Sequence, residues 1–236
     1  MSTNVLSEAV HQAVTIIFSN DAFLWEIIFL SFKVSLSALT CALLLGIPIA
    51  ILMTVYSFAG KKIIHIMIDT MMALPPVVIG LMVYLLLSRS GPLGIWGLLY
   101  TPTAMIIAQT VLITPIVIAL SLQLFRGHWE RLQEQLRMLG FKRHHCFRIL
   151  ISESKAGLIT IILAAFGRAI AEIGAVMVVG GNIEQHTRVM TTAIAMETRQ
   201  GNLSLALALG IILILLALLI NAAVHLSSRH SDKLAQ

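Results

Sequence analysis

The sequence predicts an all-α membrane protein with about five transmembrane helices in a single membrane domain. Apolar residues make up 58% of the 236 residues and charged residues only 11%, roughly half the share found in ordinary soluble domains. Several apolar stretches approach or exceed the ~20 residues that an α-helix needs to cross the hydrocarbon core. In a chain of this length we expect no second, soluble domain.

Five apolar stretches are expected to span the membrane, at residues 32–53, 63–87, 103–124, 156–179 and 203–226. The second contains Pro75 and Pro76, which lack backbone N–H donors and should kink or break the helix. Residues 1–31 mix apolar positions with acidic residues and histidine, which favours an extracytoplasmic or interfacial helix. The transmembrane domain is therefore expected over residues 32–228, followed by a tail at 229–236.

Lysine and arginine are concentrated in one set of loops, which predicts the orientation. That set contains Lys61, Lys62, Arg126, Arg131, Arg137, Lys142, Arg143, Arg148, Lys155, Arg229 and Lys233, whereas the opposite set contains Arg89, Arg188 and Arg199. Loops rich in positive charge remain in the cytoplasm, so the N-terminus is expected outside and the C-terminus in the cytoplasm. Topology accounts for the net charge of +5, and nucleic acid is not expected as a partner.

The hydrophilic loop at about 127–155 begins with an amphipathic pattern. Trp129, Leu132, Leu136 and Leu139 are spaced by three, four and three residues, as on one face of a helix. Gly140 follows, where a left-handed residue can end a helix. The pattern leaves two interpretations open, a helix on the lipid surface and a helix that contacts a soluble partner.

This loop resembles the signature of permease subunits of ABC importers, in which Glu-Ala-Ala, three residues and Gly precede a short helix and another span. Glu134, Leu139 and Gly140 match that signature, and Gln135 and Leu136 stand at the two alanines. The resemblance implies a coupling helix that docks on a separate ATP-hydrolysing subunit. The residues expected to form this contact are Arg131, Glu134, Leu136, Leu139 and Gly140.

The chain lacks the sequence of a nucleotide site. Its Gly60-Lys61 pair has neither the spaced upstream glycine nor the following Ser or Thr of a phosphate-binding loop. We therefore expect no cofactor on this chain, with ATP and Mg²⁺ bound by the partner ATPase. A membrane-embedded enzyme is disfavoured because no catalytic set and no metal site is recognised: Asp69 is the one candidate intramembrane aspartate, and His144-His145 has no partner at ligand spacing.

The predicted fourth span carries Arg168 and Glu172 near its middle. A charge at the centre of a transmembrane helix costs ~2.5–3.5 kcal/mol on insertion scales, so such residues usually face the bundle interior and find partners. At a spacing of four, the two can pair on one helix face. Two roles remain open, a structural ion pair and the lining or gating of a polar pathway for an anion.

The block at 167–194 resembles the permeases of tungstate and molybdate importers, whose pattern is Arg, three residues, Glu, one residue, Gly-Ala and then Gly-Asn. The Gly-Gly-Asn-Ile at 180–183 and the Thr-Arg-Val-Met-Thr-Thr at 187–192 are most similar to the tungstate-type branch. The resemblance implies a type I ABC importer permease fold in a bacterial or archaeal inner membrane. The implied pathway or gate residues are Arg168, Glu172, Thr191 and Thr192.

The same resemblance implies the partners and the cargo. A homodimer is expected to carry two ATPase subunits on its cytoplasmic side and to receive a tetrahedral oxyanion from an extracytoplasmic binding protein. Tungstate is favoured over molybdate and sulfate. A self-powered carrier would usually show an inverted internal repeat, which the sequence lacks. The polar segment at 181–202 is interpreted either as a re-entrant or external scoop for cargo or as an ordinary solvated loop.

Overall fold

The computed structural model describes residues 2–18, 22–138 and 146–234, and this part of the chain contains α-helices and one short 3-10 helix but no strand. The helices are α1 (Ser2–Phe18), α2 (Ala22–Val55), α3 (Lys61–Ala73), α4 (Pro76–Leu87), α5 (Pro102–Met138), α6 (Cys146–Glu153), α7 (Lys155–Ile170), α8 (Gly174–Gly180), α9 (Met190–Gln200) and α10 (Leu203–Leu234), with the 3-10 turn at Gly94–Trp96 between α4 and α5. The predicted all-α class is confirmed.

Three helices, α2, α5 and α10, are long and apolar enough to cross a membrane. Two further pairs meet the same test jointly but are sharply bent, α3 and α4 by 102° and α6 and α7 by 73°. The described residues thus provide three spans, or five if each bent pair crosses once, and five agrees with the prediction. The bend between α3 and α4 lies at Pro75-Pro76, where the missing backbone donors predicted it.

The first long helix begins ten residues before the predicted start of the first span, at Ala22 instead of Phe32. Leu24, Ile27 and Ile28 are buried along its first turns, while Glu26 is exposed. An acidic residue on the exposed face does not interrupt a helix whose opposite face is buried. The end of the region that we assigned to an interfacial helix is therefore helical and continuous with the first span.

The fourth span was predicted as one helix over 156–179, and this prediction is wrong. α7 ends at Ile170, and α8 begins only at Gly174. The Glu172 carboxylate accepts a hydrogen bond from the backbone N–H of Ala175 at 3.2 Å. The N–H groups in the first turn of a helix have no partner within the helix, and here the carboxylate bonds one of them, as a capping side chain does. This bond stabilises the start of a new helix at α8 instead of one continuous helix.

The chain divides into two compact units. The first contains Met1–Ala38, Pro75–Gln109 and Arg168–Leu219. Within it α4 packs directly on α8. A Cβ added to Gly80 would lie 2.7 Å from Cα of Ala175, so glycine allows the two helix backbones to approach closely.

The second unit contains Leu39–Leu74, Thr110–Gly167 and Ile220–Gln236. Its buried apolar core draws on α2, α3, α5, α6 and α7: Ala50, Ile51, Met53, Val55, Ile68, Ile118, Leu122, Phe125, Leu136, Cys146, Leu150, Leu158 and Ile161. Burial of this apolar surface stabilises the unit and fixes the end of α5 against α6.

Candidate functional site

Arg168 and Glu172 form an ion pair at the end of α7, in the first unit. Nη1 of Arg168 donates to Oε2 of Glu172 at 2.5 Å, and the Glu172 side chain is only 3% exposed, against 39% for Arg168. The pairing expected from their spacing is therefore present. The carboxylate is the buried partner, while the guanidinium remains accessible.

Neighbouring elements hold the helix break at residues 171–173 in place. The carbonyl of Ala169 accepts hydrogen bonds from the backbone N–H of Glu172 at 3.2 Å and from Nε2 of Gln109 on α5 at 3.1 Å. The carbonyl of Glu172 accepts a bond from the Thr191 hydroxyl of α9 at 2.8 Å. Buried backbone groups that a helix break leaves without helical partners must be satisfied elsewhere, and here α5 and α9 supply donors.

The two threonines that we expected in the pathway are both buried, with different contacts. Thr191 bonds the carbonyl of Glu172, so the structure brings it together with the ion pair. The Thr192 hydroxyl accepts from the Val189 N–H and donates to the Val189 carbonyl, both at 3.1 Å, at the start of α9. Thr192 therefore stabilises the N-terminus of α9, and a role of either residue in a pathway stays a prediction.

The starts of α4 and α8 lie side by side in the first unit. A Cβ added to Gly174, the first residue of α8, would lie 2.7 Å from Cγ2 of Val77, in the first turn of α4. The Glu172 carboxylate is 3.6 Å from the same position. The charged pair thus occurs where two interrupted helices begin, an arrangement that can place helix N-termini and polar side chains at an anion pathway.

A second buried charge cluster surrounds Arg188, which we assigned from the sequence to a polar loop without naming partners. Nη1 of Arg188 lies 3.7 Å from Oε1 of Glu197, and Nη2 lies 3.7 Å from Oε2 of Glu184. Its guanidinium lies over the ring of Phe23, 5.8 Å from the centroid, within the range of a cation–π interaction. The spacing of four between Glu184 and Arg188 was the sequence signal that could have revealed part of this cluster.

The Arg188 cluster shows that the segment at 181–202 is not an ordinary solvated loop. Residues 187–193 are buried and α9 forms the part from Met190 to Gln200, while residue 181, residues 183–186 and residues 198–202 are exposed. Glu197 also accepts a bond from Nδ2 of Asn202 at 2.9 Å. This internal bonding fixes the segment within the first unit.

Of the five residues expected to contact an ATPase, Arg131, Glu134 and Leu136 lie at the end of α5, in the second unit. Arg131 and Glu134 are exposed there, but Leu136 is only 7% exposed and belongs to the core of the unit. Trp129 and Leu132 pack partly against the same core. Leu139 and Gly140 lie outside the described residues. The apolar face seen in the sequence therefore faces the chain's own core, and the charged face remains open to a partner.

Within the described part of the chain, no group of three or more His, Cys, Asp or Glu side chains could hold a metal ion.

The fold and its paired charges define a polytopic helical membrane protein with ionisable residues at a broken span, the architecture of a membrane transport protein. The chain belongs to the family of binding-protein-dependent transport system inner membrane components, which matches residues 42–233. It is therefore the inner membrane permease component of an ABC transporter, and the family implies a binding protein and an ATPase as partners.

Individual relatives cover nearly the whole chain. It is 39% identical over 220 residues to the tungstate uptake system permease protein TupB of Peptoclostridium acidaminophilum, covering 93% of this chain and 96% of that protein. A probable anion ABC transporter permease protein of Haloferax volcanii is 40% identical, covering 91% and 93%. The molybdenum transport system permease protein ModB of Escherichia coli K12 is 28% identical, covering 72% and 77%.

Proposed function

We propose that this chain is the permease of an ATP-driven importer that moves a tetrahedral oxyanion, tungstate in the first place, into the cytoplasm. The observation that carries the proposal is the 39% identity to a tungstate uptake permease over nearly the full length of both chains. The block at 167–194 supports it, since its pattern resembles that of the tungstate-type branch. Molybdate and sulfate are the alternative cargoes, because permeases named for them are also relatives, each 28% identical.

The proposed assembly is a homodimer with two ATPase subunits at the cytoplasmic side and an oxyanion-binding protein outside. ATP and Mg²⁺ would be bound by the ATPases. The N-terminus would lie outside and the C-terminus in the cytoplasm, as the loop charges favour. Arg131, Glu134, Leu136, Leu139 and Gly140 would form or support the ATPase contact, with exposed Arg131 and Glu134 as its charged part.

The chemistry of Arg168 suits a site where an oxyanion binds briefly. A guanidinium has five N–H donors, and the one hydrogen bond to Glu172 leaves others available on a side chain that is 39% exposed. The paired carboxylate offsets the positive charge, which would keep the anion from binding too tightly to leave. Conduction requires this balance between entry and release. Arg168, Glu172, Thr191 and Thr192 are the proposed pathway or gate residues.

Uptake by the complete transporter, in cells that lack other oxyanion importers, tests the cargo. Labelled tungstate should accumulate, unlabelled molybdate should compete at higher concentration, and sulfate should compete least. Uptake should stop when the ATPase partner carries a substituted phosphate-binding lysine. If sulfate or molybdate competes more strongly than unlabelled tungstate, the tungstate assignment is wrong. Uptake that persists with the inactive ATPase would instead indicate a self-powered carrier.

A further inference from the structure

A basic pocket in the second unit shares no residue with the ion pair, the Arg188 cluster or the ATPase contact. It is an open cavity of about 600 Å³, lined by Phe58, Gly60, Lys61, Lys62, His65, Asp69 and Arg126. Two structural elements supply its charges: Lys61, Lys62 and His65 come from the start of α3, and Arg126 comes from α5. The pocket therefore depends on the folded arrangement of two helices and is more than a run of basic residues.

One hydrogen bond joins the two helices in the basic pocket. Nη2 of Arg126 donates to Nε2 of His65, which brings the guanidinium onto α3. Nζ of Lys61 donates to the Tyr56 carbonyl at 3.2 Å, and two of its three N–H donors remain for another acceptor. The pocket thus holds several donors that converge from different directions.

The positive charge of the basic pocket is not balanced by the residues around it. Its lining contains three Lys and Arg side chains but a single acid, Asp69. Among the described residues, no ion pair within 4 Å involves Lys61, Lys62 or Arg126. Like charges placed together repel one another, so an anion that bound among them would relieve this repulsion.

The N-terminus of α3 adds to the attraction of the basic pocket for an anion. Gly60, the residue before the helix, provides no side-chain cap, and the free N–H groups and dipole of a helix N-terminus favour negative charge. Phe58, which lines the pocket, is exposed, and on α3 Ile63, Ile66 and Met67 are exposed as well. Exposed apolar side chains next to a basic pocket match the two parts of a phospholipid, its acyl chains and its phosphate.

We propose that the basic pocket of Lys61, Lys62, His65 and Arg126 binds a phosphate-class anion, supplied by the headgroup of an anionic phospholipid or by a free tetrahedral oxyanion. Binding would join α3 to α5 through charge-assisted hydrogen bonds and would remove the repulsion between their cations. The pocket contains none of the residues proposed for the pathway or for the ATPase contact, so this site is separate from the proposed function.

The test compares the wild-type full-length chain, in the complex in which it purifies, with the double variant Lys61→Gln/Arg126→Gln. The matched control is Arg89→Gln/Arg199→Gln, which removes two exposed charges elsewhere. Native mass spectrometry measures the retained phosphatidylglycerol relative to phosphatidylethanolamine. Calorimetry on delipidated protein measures the binding of inorganic phosphate and of tungstate.

If a lipid supplies the anion, wild type and control retain several-fold more phosphatidylglycerol than the pocket variant does. If the anion is free, phosphate or tungstate binds to wild type and control but at least tenfold more weakly to the pocket variant. The charge-preserving variant Lys61→Arg/Arg126→Lys should bind as the control does, which distinguishes lost charge from misfolding. The proposal is overturned if the pocket variant matches the control in both measurements.

Discussion

At the scale of single residues, Arg168 and Glu172 are the informative pair. Their sequence spacing predicted the ion pair that is present, but it did not predict which partner is buried. The two side chains differ in burial because the Glu172 carboxylate also accepts a hydrogen bond from the Ala175 N–H, which holds it in the buried helix break. An accessible arginine beside a buried acid suits the proposed contact with a passing anion.

Neutralising both residues of this pair separates a structural role from a transport role. Removing Arg168 alone would leave the buried Glu172 carboxylate without its ion-pair partner, which is destabilising. The double variant Arg168→Gln/Glu172→Gln leaves no unpaired charge and keeps amide donors and acceptors. We expect normal membrane levels but tungstate uptake reduced at least tenfold, measured at matched protein amount, while Arg168→Lys should retain part of the uptake. Full uptake by the double variant would reduce the pair to a structural element.

The Arg188 cluster leads to a prediction about stability. Arg188→Met would leave the buried Glu197 without its cation, and we expect a loss of about 3–5 kcal/mol, seen as a lower unfolding temperature of the detergent-purified protein. Adding Glu197→Gln should recover part of the loss. Arg199→Met, at an exposed position of α9, serves as the control and should have little effect. Equal unfolding temperatures for Arg188→Met and the control would contradict the structural role of the cluster.

At the scale of helices, the two breaks differ in how far the sequence reveals them. The break before α4 was predictable, since Pro75 and Pro76 lack backbone donors whatever surrounds them. The break after α7 was not, because residues 171–173 contain neither proline nor glycine, and Ala171 and Ile173 are apolar like the rest of the span. It depends on contacts made only after folding, namely the bond from Ala175 to Glu172 and the packing of Gly174 on Val77.

Gly80 tests the close packing of α4 on α8. Alanine there would place its Cβ 2.7 Å from the Ala175 backbone, and such overpacking typically costs about 1–3 kcal/mol. We expect Gly80→Ala to lower the unfolding temperature and the yield of folded protein. At Gly210 in α10, an added Cβ meets nothing within 4 Å, so Gly210→Ala should be neutral or slightly stabilising. If the two substitutions behave alike, α4 and α8 are not in tight contact.

The C-terminal part of α5 was predicted as a helix, but the direction of its apolar face could not be read from the pattern. An amphipathic helix shows that one face will be covered without showing what covers it. Here Leu136 joins the core of the second unit, so Arg131 and Glu134 remain for a partner.

Reversing a charge on this exposed face tests the proposed ATPase contact. Glu134→Lys should lower transport-coupled ATP hydrolysis of the reconstituted complex several-fold, because a reversed charge opposes its former partner across an interface. Glu26→Lys makes the same change at an exposed position of α2, far in sequence from the proposed contact, and should be tolerated. Unaltered coupled hydrolysis in Glu134→Lys would remove this residue from the contact.

For the whole molecule, the orientation in the membrane follows from loop charge alone and can be measured directly. Ser57 precedes α3 and Ser90 follows α4, and both are exposed. In a background with Cys41 and Cys146 replaced by alanine, Ser90→Cys should react with an impermeant maleimide in intact cells. Ser57→Cys should react only after permeabilisation, because it adjoins the basic residues expected in the cytoplasm. The reverse labelling pattern would invert the topology.

The contact between Gly80 and the main chain of Ala175 has an evolutionary consequence. Two side chains that touch can change together, since a smaller residue on one side makes room for a larger one on the other. A side chain at position 80 would meet backbone atoms, which no substitution at position 175 can remove. In related permeases, replacement of this glycine should therefore accompany insertions or deletions that redirect the chain near residues 171–174, and it should not arise through paired point substitutions.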